Sequence, residues 1–223
     1  AQFATADFKY NACVSIRSYK PVPEVNPSQI DAAATIISNA KKPFIVWGQG
    51  VILGKAEEEF KAFVESSNIP AAWTILGVSA LPSSHPLNMG MVGMHGNYGP
   101  NVLTNECDVL IAVGMRFDDR VTGRLDTYAK QAKVVHFEID PAEVNKNVTA
   151  DVAVLGDVKQ TLPLLTKKVA SKPYTKWFEK FKSHDKIEFD KVINNDLNPT
   201  KEGLTMAEVL KEINRASLSD AVV

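Results

Sequence analysis

Short apolar runs alternate with amphipathic stretches over most of the chain, a pattern typical of proteins in which strands and helices take turns. The first helix is predicted to begin after Asn26, because Asn is a favourable N-cap and Pro27 fits the first helical position. Gln29 follows the cap closely and is expected to reach back toward it. Further predicted helices are 55–67, 100–106 and one opened by 156–157. The predicted strands are 44–47, 69–73, 108–113, 133–139 and 152–155.

The fold class predicted from this alternation is α/β, with a doubly wound, mostly parallel sheet over residues 26–170 and helices on both of its faces. Residues 1–25 are expected to be an interdomain lead-in, and the glycine- and proline-rich stretch 76–100 is expected to be irregular. From 171 to 223, aromatic and charged residues interleave, which predicts a helical linker. Its last helix, 205–216, begins with a Thr-x-x-Glu capping box.

Composition and charge narrow the possible partners. The 223 residues are 45% hydrophobic and 23% charged with a net charge of −1, which is ordinary for a soluble protein and disfavours nucleic-acid or anionic-membrane partners. No apolar run approaches the roughly 20 residues of a membrane span, and a signal peptide is not evident, so we expect a cytoplasmic protein. Cys13 and Cys107 are far apart and lack metal-ligand spacing, which favours two reduced thiols.

The densest chemistry lies in the run GMRFDDRVTGR at 114–124, which directly follows the apolar strand 108–113. Charges at the end of a buried strand must be paired or bound, because an isolated buried charge is costly. Open α/β sheets bind ligands at the carboxyl ends of their strands, so this run is expected to be a binding loop. Arg116 is a rigid donor suited to phosphate. The alternative is that these charges only pair with one another at the surface.

Three other features are candidates for the same binding edge. The turn 48–50 follows a strand as a phosphate-binding turn would, although its incomplete G-x-G-x-x-G spacing and the missing acid disfavour a conventional NAD site. A simple turn is the alternative. The stretch 90–96 is dense in glycine and suits close approach to a flat ligand, or is a surface loop. Glu138 and Asp157 lie at strand ends and suit ribose hydroxyls; the alternatives are a solvated strand end and a plain N-cap.

Catalytic machinery is not evident in the sequence. We find no nucleophile motif with a base and an orienting group, and His85 and His95 lack metal-ligand company at local spacing. The chain is therefore expected to hold a cofactor without its own catalytic residues or metal site.

Four segments, 92–96, 114–123, 138–147 and 156–158, resemble in order and spacing the central domain of acetolactate synthase (acetohydroxyacid synthase) catalytic subunits. The resemblance extends over 17–223. It implies a Rossmann-like central domain of a thiamine-diphosphate enzyme, on which FAD lies extended and does no net redox work. The parent enzyme would condense pyruvate with pyruvate or 2-ketobutyrate, with loss of carbon dioxide, in branched-chain amino-acid biosynthesis.

The resemblance also implies which residues contact ligands. Met94, Asp119 and Arg120 would face the substrate channel. The FAD contacts carried over by position are Arg17, Gly48, Gln49, Gly50, Thr74, Ile75, Val92, Gly93, Met94, His95, Gly114, Met115, Arg116, Phe117, Asp118, Glu138, Ile139, Asp157 and Val158.

The family's thiamine-activating Glu and its Gly-Asp-Gly metal motif have no counterpart in this chain. Thiamine diphosphate and Mg²⁺ are therefore expected on N- and C-terminal domains outside it, and the chain alone is expected to be inactive. Its expected partners are those domains, further copies of the catalytic subunit and a small regulatory subunit. Apolar surface near Trp177 and Phe181 is expected to be exposed and to drive self-association.

Two alternatives are kept. The chain could be the central domain of another thiamine-diphosphate enzyme, such as glyoxylate carboligase or pyruvate oxidase, against which the run 118–123 argues. It could instead be a free-standing nucleotide-binding module related to sirtuins or electron-transfer flavoproteins, although the zinc cysteines of sirtuins are missing.

Overall fold

A parallel sheet forms the centre of the fold. The computed structural model describes residues 7, 9–14, 16, 20–200 and 203–217. The strands within these residues are β1 Pro43–Trp47, β2 Ala71–Trp73, β3 Asn88–Met91, β4 Val109–Val113, β5 Lys133–Glu138 and β6 Val152–Leu155. Their order is β3-β2-β1-β4-β5-β6, and every pairing is parallel. This confirms the predicted α/β fold and gives the strand order of a dinucleotide-binding sheet.

Helices occupy the connections between strands and the C-terminal part of the described chain. They are α1 Pro27–Asn39, α2 Gln49–Leu53, α3 Glu57–Ser67, α4 Tyr98–Thr104, α5 Asp119–Thr122, α6 Val158–Thr166, α7 Thr175–Glu188, α8 Asn194–Leu197 and α9 Met206–Ala216, with a 3₁₀ turn at Ile75–Gly77 and a π-helical turn at Phe189–Ile193. α1, α3 and α6 pack as one group, and α4 packs against α7. Among the described residues, no helix is long and apolar enough to cross a membrane.

The two central strands, β1 and β4, are buried along their whole length. In register, Trp47 lies beside Val113 of β4 and beside Trp73 of β2. Because these parallel neighbours end at the same edge, the loops that follow β1, β2 and β4 are brought together. The candidate residues on these loops therefore meet at the carboxyl edge of the sheet.

Two elements depart from the sequence prediction. β3 lies inside 76–100, which we expected to be irregular; its Asn-Met-Gly-Met sequence has little strand propensity, and pairing with β2 supplies what local preference does not. α2 begins at Gln49, whereas the sequence predicted the next helix only from residue 55. A five-residue helix is too short to show an amphipathic period, which is why the pattern missed it.

The helix caps were predicted correctly at two positions and wrongly at one. Asn26 caps α1 by accepting a hydrogen bond from the Ser28 amide at 3.0 Å. The capping box of α9 is also confirmed, with Thr205 and Glu208 bonding to each other's backbone amides. Gln29 does not reach back to its cap, because its Oε1 accepts from the Leu155 amide at 3.1 Å instead. It therefore joins α1 to the edge strand β6.

Trp177 and Phe181 of α7 are buried, so the expected exposed surface at these two residues is wrong. Trp177 donates from Nε1 to the Pro43 carbonyl at 2.9 Å, and Phe181 has no exposed surface. The Phe181 ring packs 5.1 Å from the ring of Phe44 in β1. Packing against the sheet thus continues beyond residue 170.

Cys107 is a buried thiol just before β4. Its Sγ donates to the Thr104 carbonyl at 3.1 Å. Burial, with a smaller contribution from the charge of Asp108, raises the pKa of Cys107 to about 12. The folded protein therefore strongly favours the protonated thiol.

Cys107→Ala is expected to lower the free energy of unfolding near neutral pH by about 1 kcal/mol, because a buried group is lost. The folded pKa of Cys107, about 12, lies above the unfolded value of about 8.5. The thiol's contribution is therefore complete below about pH 8.5 and decreases progressively as the pH rises from there to about 12. Urea unfolding at increasing pH should show that the difference in unfolding free energy between wild type and variant becomes smaller. A difference in unfolding free energy that stays constant up to strongly alkaline pH would contradict the predicted pH dependence.

Candidate functional site

A cavity of about 610 Å³ lies at the carboxyl edge of the sheet, where the strand order reverses between β1 and β4. This is the position at which open α/β sheets bind ligands. The loops after β1 to β5 all contribute to it. Its wall is formed by Gly48, Gln49, Gly50, Leu53, Thr74, Ile75, Leu76, Met91, Val92, Met94, His95, Gly114, Met115, Arg116, Asp118, Arg120, Val121, Glu138 and Ile139.

The floor of the cavity is a close contact between the chain segments that leave β1 and β4. Gly48 donates its amide to the Val113 carbonyl at 3.0 Å, and Gly50 donates to the Gly114 carbonyl at 2.8 Å. A Cβ atom on Gly50 would lie only 2.7 Å from the Gly114 Cα. Glycine is therefore required here for one protein segment to approach another. The two amides are already bonded within the protein.

Buried and exposed side chains alternate in the loop after β4. Met115 and Phe117 are only 3% and 4% exposed, whereas Arg116 and Asp118 face solvent or the cavity. Asp118 caps α5 by accepting from the Arg120 amide at 3.1 Å. The loop thus presents one cation and one carboxylate on the side opposite its apolar anchors.

The charges of this loop pair with one another only loosely. Arg116 lies 3.7 Å from Asp118, and 65% of its side chain is exposed. Arg120 lies 4.0 Å from Asp119. Such exposed ion pairs contribute little to stability, so the Arg116 guanidinium keeps donors available to an anionic ligand. Arg124 pairs more closely, with its Nη2 2.7 Å from Asp126 Oδ2. This pair is not part of the cavity wall.

Glu138 is buried at the end of β5, so the alternative of a solvated strand end is wrong. Its Oε1 accepts from the amides of Ile139, at 2.9 Å, and Asp140, at 3.2 Å. Its Oε2 lies 3.6 Å from Nε2 of the buried His136. The carboxylate is thereby fixed in the cavity wall.

The loop after β3 is held by hydrogen bonds to its backbone. Met94 donates its amide to the Arg120 carbonyl at 2.8 Å. The Asn101 side chain accepts from the Gly93 amide and donates to the Gly93 carbonyl, each at 2.9 Å. Arg120 Nη1 lies 3.9 Å from Met94 Sδ, so two residues expected in the substrate channel are adjacent. The third, Asp119, lines a neighbouring cavity of about 380 Å³, whose wall Arg120 shares.

The remaining candidates fall into two groups. Arg17 lies outside the residues that the structure describes. Asp157 caps α6 by accepting from the Lys159 amide at 2.9 Å, so the N-cap role is present, and its contact with a ligand stays a prediction. Among the described residues, the predicted FAD contacts that do not line the larger cavity are Gly93, Phe117, Asp157 and Val158.

Four apolar residues of the wall were not among the named contacts, although two of them, Met91 and Val121, lie within the predicted binding stretches 90–96 and 114–124. Leu53 lies at the end of α2, and Leu76 lies in the 3₁₀ turn after β2. Met91 ends β3, and Val121 lies in α5. All four belong to elements that the sequence pattern did not predict. Within the described part of the chain, no group of three or more His, Cys, Asp or Glu residues could hold a metal ion.

Comparison with known proteins identifies the family. The family model described as "Thiamine pyrophosphate enzyme, central domain" matches residues 30–165. The chain is 41% identical over 207 residues to the probable acetolactate synthase large subunit of Methanocaldococcus jannaschii, covering 91% of this chain and 35% of that protein. It is 42% identical over 175 residues to the acetolactate synthase large subunit of Corynebacterium glutamicum, covering 78% of this chain and 28% of that protein.

These relatives confirm the resemblance drawn from the loop sequences. Acetolactate synthase of Mycobacterium leprae is a further relative, 44% identical over 155 residues that cover 70% of this chain and 25% of that protein. The chain thus spans between a quarter and about a third of the length of these relatives. The chain belongs to the thiamine pyrophosphate enzyme family, with that family's central domain at its core.

Proposed function

We propose that the larger cavity binds FAD and that the chain is the central FAD-binding domain of an acetolactate synthase catalytic subunit. The observation that carries this proposal is one cavity, at the reversal of the strand order, that joins an exposed guanidinium, a fixed carboxylate and an apolar wall. An extended dinucleotide needs all three features.

The residues of the cavity fit such a ligand. Arg116 offers charge-assisted hydrogen bonds to a diphosphate. Glu138 offers acceptors for ribose hydroxyls at the end of β5. Ile75, Met91 and Met94 provide apolar surface for a flat ring system. Bound FAD would supply no net redox step in this family, so the residues of this chain would bind and orient it.

The activity of the parent protein is part of the same proposal. It would condense pyruvate with pyruvate or 2-ketobutyrate and release carbon dioxide, using thiamine diphosphate and Mg²⁺ held by other domains. The small share of each relative that the chain covers supports the existence of such domains in the parent. We further propose association of catalytic subunits, a small regulatory subunit and a cytoplasmic location.

The purified chain is expected to bind FAD and ADP, and not NAD, in titrations followed by calorimetry and flavin fluorescence. Arg116→Ala is expected to weaken FAD binding by about 10-fold or more, because charge-assisted hydrogen bonds are lost. Arg124→Ala is the matched control, since Arg124 is also largely exposed and pairs with Asp126 outside the cavity wall. It should change affinity by less than about twofold. Absence of FAD binding, or equal losses in both variants, would overturn the proposal.

A further inference from the structure

The loop after β4 is anchored through the carbonyl groups of its buried residues. His136 donates from Nε2 to the Met115 carbonyl at 2.9 Å. Asn147 donates from Nδ2 to the Phe117 carbonyl at 2.7 Å. Among the described residues, 115–117 make no backbone–backbone hydrogen bond, because the strand has ended and α5 has not begun. These two side chains therefore supply the polar contacts that hold this backbone.

We propose that His136 and Asn147 are positioning residues of the ligand site, which set the direction of Arg116. The proposal rests on the proposed function of the cavity. The two anchored carbonyls are two residues apart and flank Arg116. Fixing both restrains rotation of the segment, so Arg116 stays directed to the side opposite the buried Met115 and Phe117.

His136 has features that core packing alone does not require. It is fully buried in β5, among apolar neighbours in the same strand. A carbonyl oxygen can only accept, so Nε2 carries the proton. Nδ1 has no hydrogen-bond partner among the described residues. An apolar side chain would fill this position without leaving a buried nitrogen unsatisfied, so the bond to Met115 is the gain that this histidine brings.

The same imidazole also connects two parts of the site. Its Nε2 lies 3.6 Å from Glu138 Oε2, and its ring lies 5.0 Å from the Phe117 ring in an edge contact. His136 thus contacts the carboxylate at the end of β5 and the loop that carries Arg116. The spacing between cation and carboxylate, which an extended ligand must match, is set through this residue.

Asn147 contributes from the surface side. It lies in the connection after β5 and is exposed, so its substitution leaves the core intact. Asn147→Asp keeps the shape of the side chain and replaces the donor by a second oxygen, which repels the Phe117 carbonyl. Asn195→Asp is the matched control. Asn195 of α8 also donates from Nδ2 to a backbone carbonyl, that of Lys191, at 2.9 Å.

The test combines FAD affinity with ¹⁵N order parameters of residues 115–118 in the ligand-free chain. His136→Leu and Asn147→Asp should weaken FAD binding by about 10-fold. They should also lower the order parameters from about 0.85 toward 0.6. His136→Gln should retain affinity within about threefold, because the Gln amide can donate to the same carbonyl. Asn195→Asp should match wild type in both measurements.

The two readouts separate the possible failures. If wild type does not bind FAD, the proposed function fails, and the order parameters still test the anchoring. Unchanged order parameters in Asn147→Asp and His136→Leu would overturn the positioning role. So would order parameters that fall while FAD affinity stays at the wild-type value. If His136→Gln loses as much FAD affinity as His136→Leu, His136 acts through packing and not through its hydrogen bond.

Discussion

Gly50→Ala is expected to lower the free energy of unfolding by about 2–3 kcal/mol, although the same change in an ordinary helix stabilises by up to about 1 kcal/mol. Gly50 lies in α2, where its φ is unremarkable for any residue. The new Cβ would meet the Gly114 Cα at 2.7 Å and the Gly114 carbonyl oxygen at 2.8 Å. Backbone atoms cannot rotate away, so the segments after β1 and β4 must separate. Separation also breaks the floor of the cavity and should weaken FAD binding.

Gly99→Ala is the matched control for this steric argument. Gly99 also lies in a helix, α4, but its Cβ would meet mainly side chains, with Asp185 Oδ1 at 3.2 Å and His184 Cβ at 3.3 Å. The Asp185 carboxylate can move, so we expect a change of less than about 1 kcal/mol in either direction. Urea unfolding of the two variants at one pH measures the difference. Equal stability would show that the two segments leave room for a Cβ atom on Gly50, contrary to the steric argument.

Sequence reasoning placed the candidate residues at one edge of the sheet because the signals there are local. A charged run after a buried strand, a glycine turn after another and an acid at the end of a third all predict the carboxyl edge. The resemblance then assigned residues such as Arg116 and Glu138, which the structure brings into one wall. Their contact with FAD stays a prediction.

What the sequence could not supply depends on contacts between distant segments. The turn 48–50 predicted a ligand, whereas both of its glycine amides bond to the segment leaving β4. Gln29 was expected to cap α1 and instead bonds to Leu155, which lies 126 residues away. His136 gave no signal inside an apolar strand, because its bond to the Met115 carbonyl exists only when β4 and β5 are neighbours. Local patterns carry no information on such pairings.

The C-terminal border of the folded unit is a further case. The family model ends at residue 165, and the sequence placed a domain border at 170. The side chain of Phe181 nevertheless lies between the rings of Phe44 and Trp177, each 5.1 Å away. An aromatic residue in an amphipathic helix shows that one face is buried, but the pattern alone does not say against which element. Here the partner is β1, at the centre of the sheet.

Phe181→Ala is therefore expected to lower the free energy of unfolding by about 3–5 kcal/mol, the cost of removing a fully buried aromatic ring. Phe189→Ala is the control. Phe189 follows directly at the end of α7 and is 48% exposed, so its loss should cost less than about 0.5 kcal/mol. Both values come from chemical unfolding followed by tryptophan fluorescence and circular dichroism. Because Phe181 packs against Phe44 and Trp177 donates to the Pro43 carbonyl, both in β1, a single cooperative transition is expected in wild type. A small effect of Phe181→Ala, or a separate early transition of α7, would mean that this helix is an appendage, with the stable core ending at the border seen in the sequence.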